Sequence, residues 1–298
     1  MPFRASFECL WCGAAHTVRG PDALEGWAQL CPDCVGKAGD NGFLRFRLRQ
    51  ALTERSATAT PAAHQPASTA ASLDLHSQMI DYYEARAPEY DEWYRRRGRY
   101  SHGPIHDAAW NAELDAAGTW LDTRDFSGEI VELAAGTGWW SPLLASRGEL
   151  SLYDTSPAAL ELARERLVAH RLRAHLHVRD AWAEPDRTVD AVFAGFWLSH
   201  VPAERLAGFL GLVRRWLKPG GLAAFIDSLD DPASGATDHP IPVEGRSTRR
   251  LADGRAFTIV KVVRDADALA AALRDAGFVD VEVITTGRFF VLASARAG

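Results

Sequence analysis

The sequence predicts an α/β protein built on a doubly wound, mostly parallel sheet, preceded by a small separate module. Three observations carry this reading. Short apolar runs alternate with helix-period segments between residues 129 and 226. All four cysteines of the 298-residue chain lie within its first 34 residues, as two CxxC pairs. Between these regions, residues 56–72 hold no Asp, Glu, Lys or Arg and no large apolar side chain.

The N-terminal module comes first. Cys9, Cys12, Cys31 and Cys34 have the spacing of a structural zinc site. Each CxxC turn presents two thiolates on one side of a tight knuckle, and two knuckles complete a tetrahedron. Fifty-five residues rarely build a sufficient core unaided, a second reason to expect metal. Residues 1–55 therefore read as a zinc-ribbon-like module and 56–72 as a flexible linker with nothing to bury. Residues 73–298 form the large domain. Within the module, Phe43, Phe46, Leu44 and Leu48 alternate with Arg45, Arg47 and Arg49. Strict alternation predicts a strand with three arginines on one face, a solvated face or a surface for an acidic partner.

In the large domain, residues 129–133, 149–153, 175–178, 189–195 and 222–226 read as strands. Ser156 is an N-cap with Pro157 at the first helical position. Leu160, Ala163, Leu167 and Val168 give that helix its apolar face. Pro202 opens a further helix carrying Leu206, Phe209, Leu210, Val213, Trp216 and Leu217 on one side. Lys218-Pro219-Gly220-Gly221 ends it. Asp253-Gly254 marks a hairpin turn ahead of a last helix near 265–276.

The loop after the first strand, Glu132-Leu133-Ala134-Ala135-Gly136-Thr137-Gly138, lets a ligand approach the backbone. It lacks the third glycine of a dinucleotide pyrophosphate site. Asp154, at the tip of the next strand, can accept both hydroxyls of a ribose.

These segments resemble, in order, the motifs of class I S-adenosylmethionine (SAM)-dependent methyltransferases over roughly residues 78–293. Besides the glycine loop and Leu152-Tyr153-Asp154-Thr155, they are Arg179-Asp180-Ala181-Trp182, the run Asp190 to Pro202, and Trp216 to Gly221. Tyr82 to Tyr94 is similar to the family's N-terminal helical lid. Ala134 stands where the commonest form has glycine.

The resemblance implies a seven-stranded sheet and a SAM site. Gly136 and Gly138, with Ala134, would lie along the methionine moiety, and Glu132 would reach its ammonium, directly or through water. Tyr83 or Tyr90 would cover its carboxylate. Asp154 and Thr155 would hold the ribose, and Asp180, Ala181 and Trp182 the adenine. Phe196 and Trp197 would sit near the sulfonium. Trp93, Tyr94 and Trp197 are the candidate acceptor wall, closed by the insert at residues 228–264. His200 is the candidate base. Trp139 and Trp140 are core or substrate wall.

The charge balance, 33 basic against 39 acidic residues, disfavours nucleic acid as the partner. The run after the fourth strand, Gly195-Phe196-Trp197-Leu198, lacks the Asn/Asp-Pro-Pro-aromatic signature of nucleobase amine methyltransferases. The absence of cysteine from the large domain excludes a thiol nucleophile there. A small organic acceptor is the expected substrate. Two other classes share the features: an RNA methyltransferase whose cysteine module grips its substrate, and a non-catalytic SAM-binding module. With no 18-residue apolar window and no signal-peptide core, no membrane span is expected, and a cytoplasmic location is. A homodimer is compatible with the sequence.

Overall fold

A computed structural model describes residues 3–39, 41–58, 67–239 and 245–298. The chain divides into two units, Met1–Ala67 and Ser68–Gly298. Of the segment read as a linker, residues 56–58 end one helix and 67–72 begin the next, while 59–66 lie outside the described residues.

The first unit pairs β1 (Ser6–Glu8) with β2 (Ala15–Thr17), antiparallel. Short helices α1 (Glu25–Ala28) and α2 (Pro32–Gly36) follow, then α3 (Gly42–Thr58). The expected strand over 43–49 is therefore helical. The Asn41 side chain accepts from the Leu44 N–H at 3.0 Å, as an N-cap does. Leu44, Leu48 and Ala51, at helical spacing, pack with Phe7, Val18, Trp27 and Leu30. The arginines consequently do not share a face. Arg45 and Arg49 are exposed, whereas Arg47 is buried and donates Nε and Nη2 to the Ala28 carbonyl.

In the second unit, α4 (Ala67–Arg86), α5 (Tyr90–Tyr94) and α6 (Pro104–Asp122) precede β3 (Glu129–Leu133). Then come α7 (Ser141–Ala145), β4 (Glu149–Asp154), α8 (Pro157–Ala169), β5 (His175–Val178) and β6 (Val189–Gly195). After them run α9 (Leu206–Trp216), β7 (Leu217–Ser228), β8 (Arg246–Arg250) and β9 (Ala256–Val260). The chain finishes with α10 (Ala266–Asp275), β10 (Phe278–Thr285) and β11 (Phe290–Ala297).

The seven-stranded sheet has the order β10-β11-β7-β6-β3-β4-β5. Its five strands from β7 to β5 are parallel; β11 is antiparallel to both β7 and β10, so β10 runs in the same direction as the five. Strand order reverses direction between β3 and β6, the place where ligands bind in such sheets. Side chains alternate between two cores. Ile130 and Phe193 join Trp110 and Leu160 on one face, while Val131 and Val192 join Trp216 and Leu273 on the other.

Two helix boundaries differ from the sequence reading. Pro202 precedes a 3₁₀ turn at Ala203–Arg205, so α9 starts only at Leu206. Leu217, expected on the helix, begins β7. Val168 is 60% exposed, because Leu160, Ala163 and Leu167 already fill the inner stripe of α8. Ser156 caps α8 as expected, accepting from the Ala159 N–H at 2.9 Å.

The lid elements are fastened to the sheet at several points. Met79 and Tyr82 of α4 pack on Leu251, Ile259 and Val260 of the β8–β9 hairpin region. The Glu84 carboxylate accepts from the Ser156 hydroxyl at 2.6 Å. Asp91 of α5 accepts from Thr137 at 2.7 Å and pairs with Arg166.

The β3 loop carries backbone strain. Ala134 has φ +52°, a left-handed conformation that costs an L-residue about 1–2 kcal/mol. Glycine would relieve this and give back part of the gain as unfolded-state entropy. Ala134→Gly is expected to raise stability by about 0.5–1 kcal/mol, or roughly 1–3 °C in Tm. Thermal unfolding of the two proteins checks it; a lower Tm would mean that the methyl's packing outweighs the strain.

Candidate functional site

The tips of β3, β4 and β6 frame a partly open cavity, roofed by α4 and the start of α5; its empty space, open solvent included, is about 670 Å³. Its floor is set by one carboxylate. Asp154 Oδ2 accepts from the Gly136 N–H and Oδ1 from the Ser156 N–H, each at 2.8 Å. Those bonds leave lone pairs on both oxygens for a further donor. Burial pushes the Asp154 carboxyl up to about 6; the two N–H bonds oppose the shift, and Glu84 and Asp180 add to it. Gly136 has φ +54°, and a Cβ there would meet no protein atom within 4 Å. Gly138 serves packing instead: a Cβ would lie 2.7 Å from that of Ala163.

Asp180 lies at the start of the loop that follows β5. Its Oδ2 meets His76 Nε2 at 2.9 Å and its Oδ1 accepts from the Trp182 N–H at 2.9 Å. Burial raises this carboxyl, but the His76 and Trp182 bonds outweigh it and hold the group below its ordinary range. Tyr83, Tyr90, Ala134, Thr155, Ala181, Phe196, Trp197 and His200 complete the expected part of the lining. Phe196 takes φ +56°, a second strained residue at the cavity edge.

Four expected residues stand elsewhere. Glu132 is buried behind the loop, with Oε2 accepting from the Ser141 hydroxyl at 2.6 Å. Gly138 faces α8. Trp182 packs edge-on against Phe209, with the Arg205 guanidinium 3.8 Å above its ring. Tyr94 is buried and stacks on Trp139, ring centroids 4.1 Å apart, while Trp140 is core. Aromatic residues in a motif-bearing helix look alike in sequence whether they face core or ligand. Conversely, His76, Met79 and Ile80 on α4 line the cavity and were not anticipated. Their i, i+3, i+4 spacing was the available signal.

A second, partly open cavity adjoins the first; its empty space, open solvent included, is about 480 Å³. Tyr83, Tyr90, Phe196 and His200 line both. Trp93 lines the second, and Trp197 only the first. The 228–264 insert contributes Arg249, Ile259 and Lys261. His200 is fully enclosed. Its Nδ1 lies 2.7 Å from the Val260 carbonyl and its Nε2 2.7 Å from the Tyr83 hydroxyl. The carbonyl can only accept, so Nδ1 carries the proton and Nε2 accepts from Tyr83. Burial, reinforced by the Lys261 charge, holds His200 well below its ordinary pKa and therefore neutral.

A family model described as a methyltransferase domain matches residues 130–221. The solved DhpI–SAH complex is 32% identical, covers 76% of this chain and 98% of DhpI, and superposes with TM-score 0.60. The chain belongs to the class I SAM-dependent methyltransferases. It is an enzyme of that family, and SAM is its methyl donor. The DhpI–SAM–HEP complex is similar to it at 30% identity, over 75% of this chain and 98% of DhpI, with TM-score 0.60. The ubiquinone/menaquinone biosynthesis C-methyltransferase UbiE of Coxiella burnetii is 26% identical over 170 residues, 51% of this chain and 67% of UbiE. Among the described residues, no helix of the methyltransferase is long and apolar enough to cross a membrane.

The buried Glu132 carboxyl gives a pH test. Burial pushes it up to about 8, against the Ser141 bond and the Arg166 charge. The folded state then holds a proton that the unfolded state releases near its ordinary value. This contribution to stability is full below about pH 4.5 and is lost as pH rises through about 8. Glu132→Gln keeps an acceptor for Ser141 and removes the titration. Between pH 5 and 8 the Tm of the ligand-free variant should fall less steeply than wild type, with a gain on the order of a few kcal/mol at the upper end. Parallel curves would show that Glu132 ionises as an ordinary carboxyl.

Proposed function

We propose that the enzyme binds SAM in the first cavity and methylates a small organic acceptor held in the second. The observation that carries this reading is the shared wall: the same four side chains line both of two adjoining, partly open pockets at the strand tips. When bound, SAM supplies an electrophilic methyl on a sulfonium leaving group. The acceptor's electron pair forms the new bond to the methyl while the carbon–sulfur pair returns to sulfur.

The protein's part is orientation and exclusion of water. Gly136 leaves room for the methionine moiety, and Ala134 and Thr155 flank the donor. Asp154 takes the ribose hydroxyls on its free lone pairs. Asp180, steadied by His76, takes the adenine amino group beside Ala181. Tyr83, Tyr90 and Phe196 present aromatic faces, which suit a cation. Glu132 and Gly138 support the loop from behind, Glu132 through Ser141. His200 has its acceptor nitrogen occupied, which favours a positioning role on Tyr83 over direct proton abstraction. Trp93 shapes the acceptor side.

Calorimetry should show one equivalent of SAH bound per chain. Asp154→Ala should weaken it about tenfold to a hundredfold, the worth of a charge-assisted hydrogen bond. Wild-type protein should convert SAM to SAH only when a small-molecule acceptor is present. Unchanged SAH affinity in the variant would return Asp154 to a purely structural role. Turnover with structured RNA and none with small molecules would favour the nucleic-acid reading.

We also infer a structural zinc ion on Cys9, Cys12, Cys31 and Cys34. Their sulfur atoms all lie within 4.8 Å of one another, and Cys12 and Cys31 are 3.7 Å apart. A tetrahedral zinc thiolate site with bonds of about 2.3 Å has sulfur–sulfur edges of about 3.8 Å. The Cys31 N–H points at Cys9 Sγ, 3.4 Å away, as backbone donors do at thiolates. Metal analysis of protein purified without added zinc should find about one equivalent. Cys31→Ser should lose it and unfold the first unit while SAH affinity is retained. A native disulfide at Cys9 would exclude the site.

A further inference from the structure

The second cavity is lined by three basic side chains from three elements. Arg86 ends α4, Arg249 sits on β8 and Lys261 follows β9. Among the described residues, no carboxylate lines this cavity, and none of the three cations forms an ion pair. Arg249 Nη1 instead donates to His239 Nδ1 at 2.8 Å, and Lys261 Nζ to the Ser199 hydroxyl at 2.9 Å. Asp227, whose charge favours the Lys261 cation, gives its own oxygens to the Ser199 and Ser228 N–H groups.

Arg86 is the most telling of the three. It is 8% exposed, and among the described residues its Nε has no hydrogen-bond partner. Its guanidinium is fixed over the Tyr90 ring at 4.4 Å and beside Tyr82 and Tyr100 at 5.5 Å each. The Tyr100 hydroxyl, also in the lining, is buried without a partner among the described residues. Buried charges are normally paired, and buried donors are normally satisfied. Three like charges around one cavity repel one another, and a neutral occupant would leave them so. An anion would convert that repulsion into attraction and satisfy the orphan donors, with the two guanidiniums suited to planar or tetrahedral oxyanions.

We propose that the acceptor is a small organic anion whose carboxylate or phosphoryl group is seated by Arg86, Arg249 and Lys261. This rests on the reading of the second cavity as the acceptor site. The charged group lies against these cations, and the rest of the molecule extends toward the wall of Tyr83, Tyr90, Phe196 and His200.

The test titrates the full chain, saturated with SAH, with inorganic phosphate, acetate and neutral acetamide in turn. Saturable binding of phosphate points to a phosphoryl group and of acetate to a carboxylate; either supports the proposal, with acetamide not bound. Arg249→Gln and Lys261→Gln should each weaken the anion about tenfold to a hundredfold, and Lys261→Arg should restore most of it. SAH affinity, measured in every variant, should stay at the wild-type value; it reports folding and tests the cofactor reading separately. Binding of neither anion, equal binding of acetamide, or anion binding undiminished in both glutamine variants would overturn the proposal.

Discussion

The Asp154 carboxylate is the constraint on which the site depends. Both of its oxygens are tied to backbone N–H groups, one in the loop after β3 and one at the start of α8. One side chain thus sets the spacing of the two loops that floor the first cavity. Glu84 then anchors α4 to the same α8 start, and Asp91 anchors α5 to Thr137 in the glycine loop. The roof is therefore attached to the floor through acidic side chains, each reaching a loop that has already been placed.

This arrangement is costly at the places where the chemistry is expected. Asp154 and Glu132 are buried acids with raised pKa values, and Ala134 and Phe196 occupy left-handed backbone. Among the described residues, Arg86 is a buried cation that forms no ion pair. The surrounding sheet, with core layers on both faces, carries enough apolar burial to tolerate them.

The sheet was legible in the sequence because its signals are local. The strands at 129–133, 175–178 and 189–195 match their apolar runs, and Ser156-Pro157 starts α8 as cap chemistry requires. The hairpin around Asp253-Gly254 followed from turn chemistry. The reading failed where a local pattern had two physical meanings. Residues 43–49 alternate like a strand, yet Leu44, Leu48 and Ala51 also satisfy a helical period, and packing onto the module core decided for the helix. Tyr94 and Trp182 sit in motif segments but turn away from the cavity, which only tertiary packing determines. The cation cluster was invisible for a different reason. Arg86, Arg249 and Lys261 are separated by up to 175 positions in sequence and meet only because α4 packs on the hairpin.

On the reading proposed above, donor and acceptor would meet across a wall common to both cavities, a route by which each can bias the affinity of the other. Tyr83, Tyr90, Phe196 and His200 cannot shift to suit one ligand without reshaping the surface offered to the other. Whatever factor a bound donor imposes on the affinity of the neighbouring site, an occupant of that site imposes on the donor by reciprocity. The Tyr83–His200 hydrogen bond lies within that wall, so on that reading any coupling would pass through the side chains that align the reacting groups.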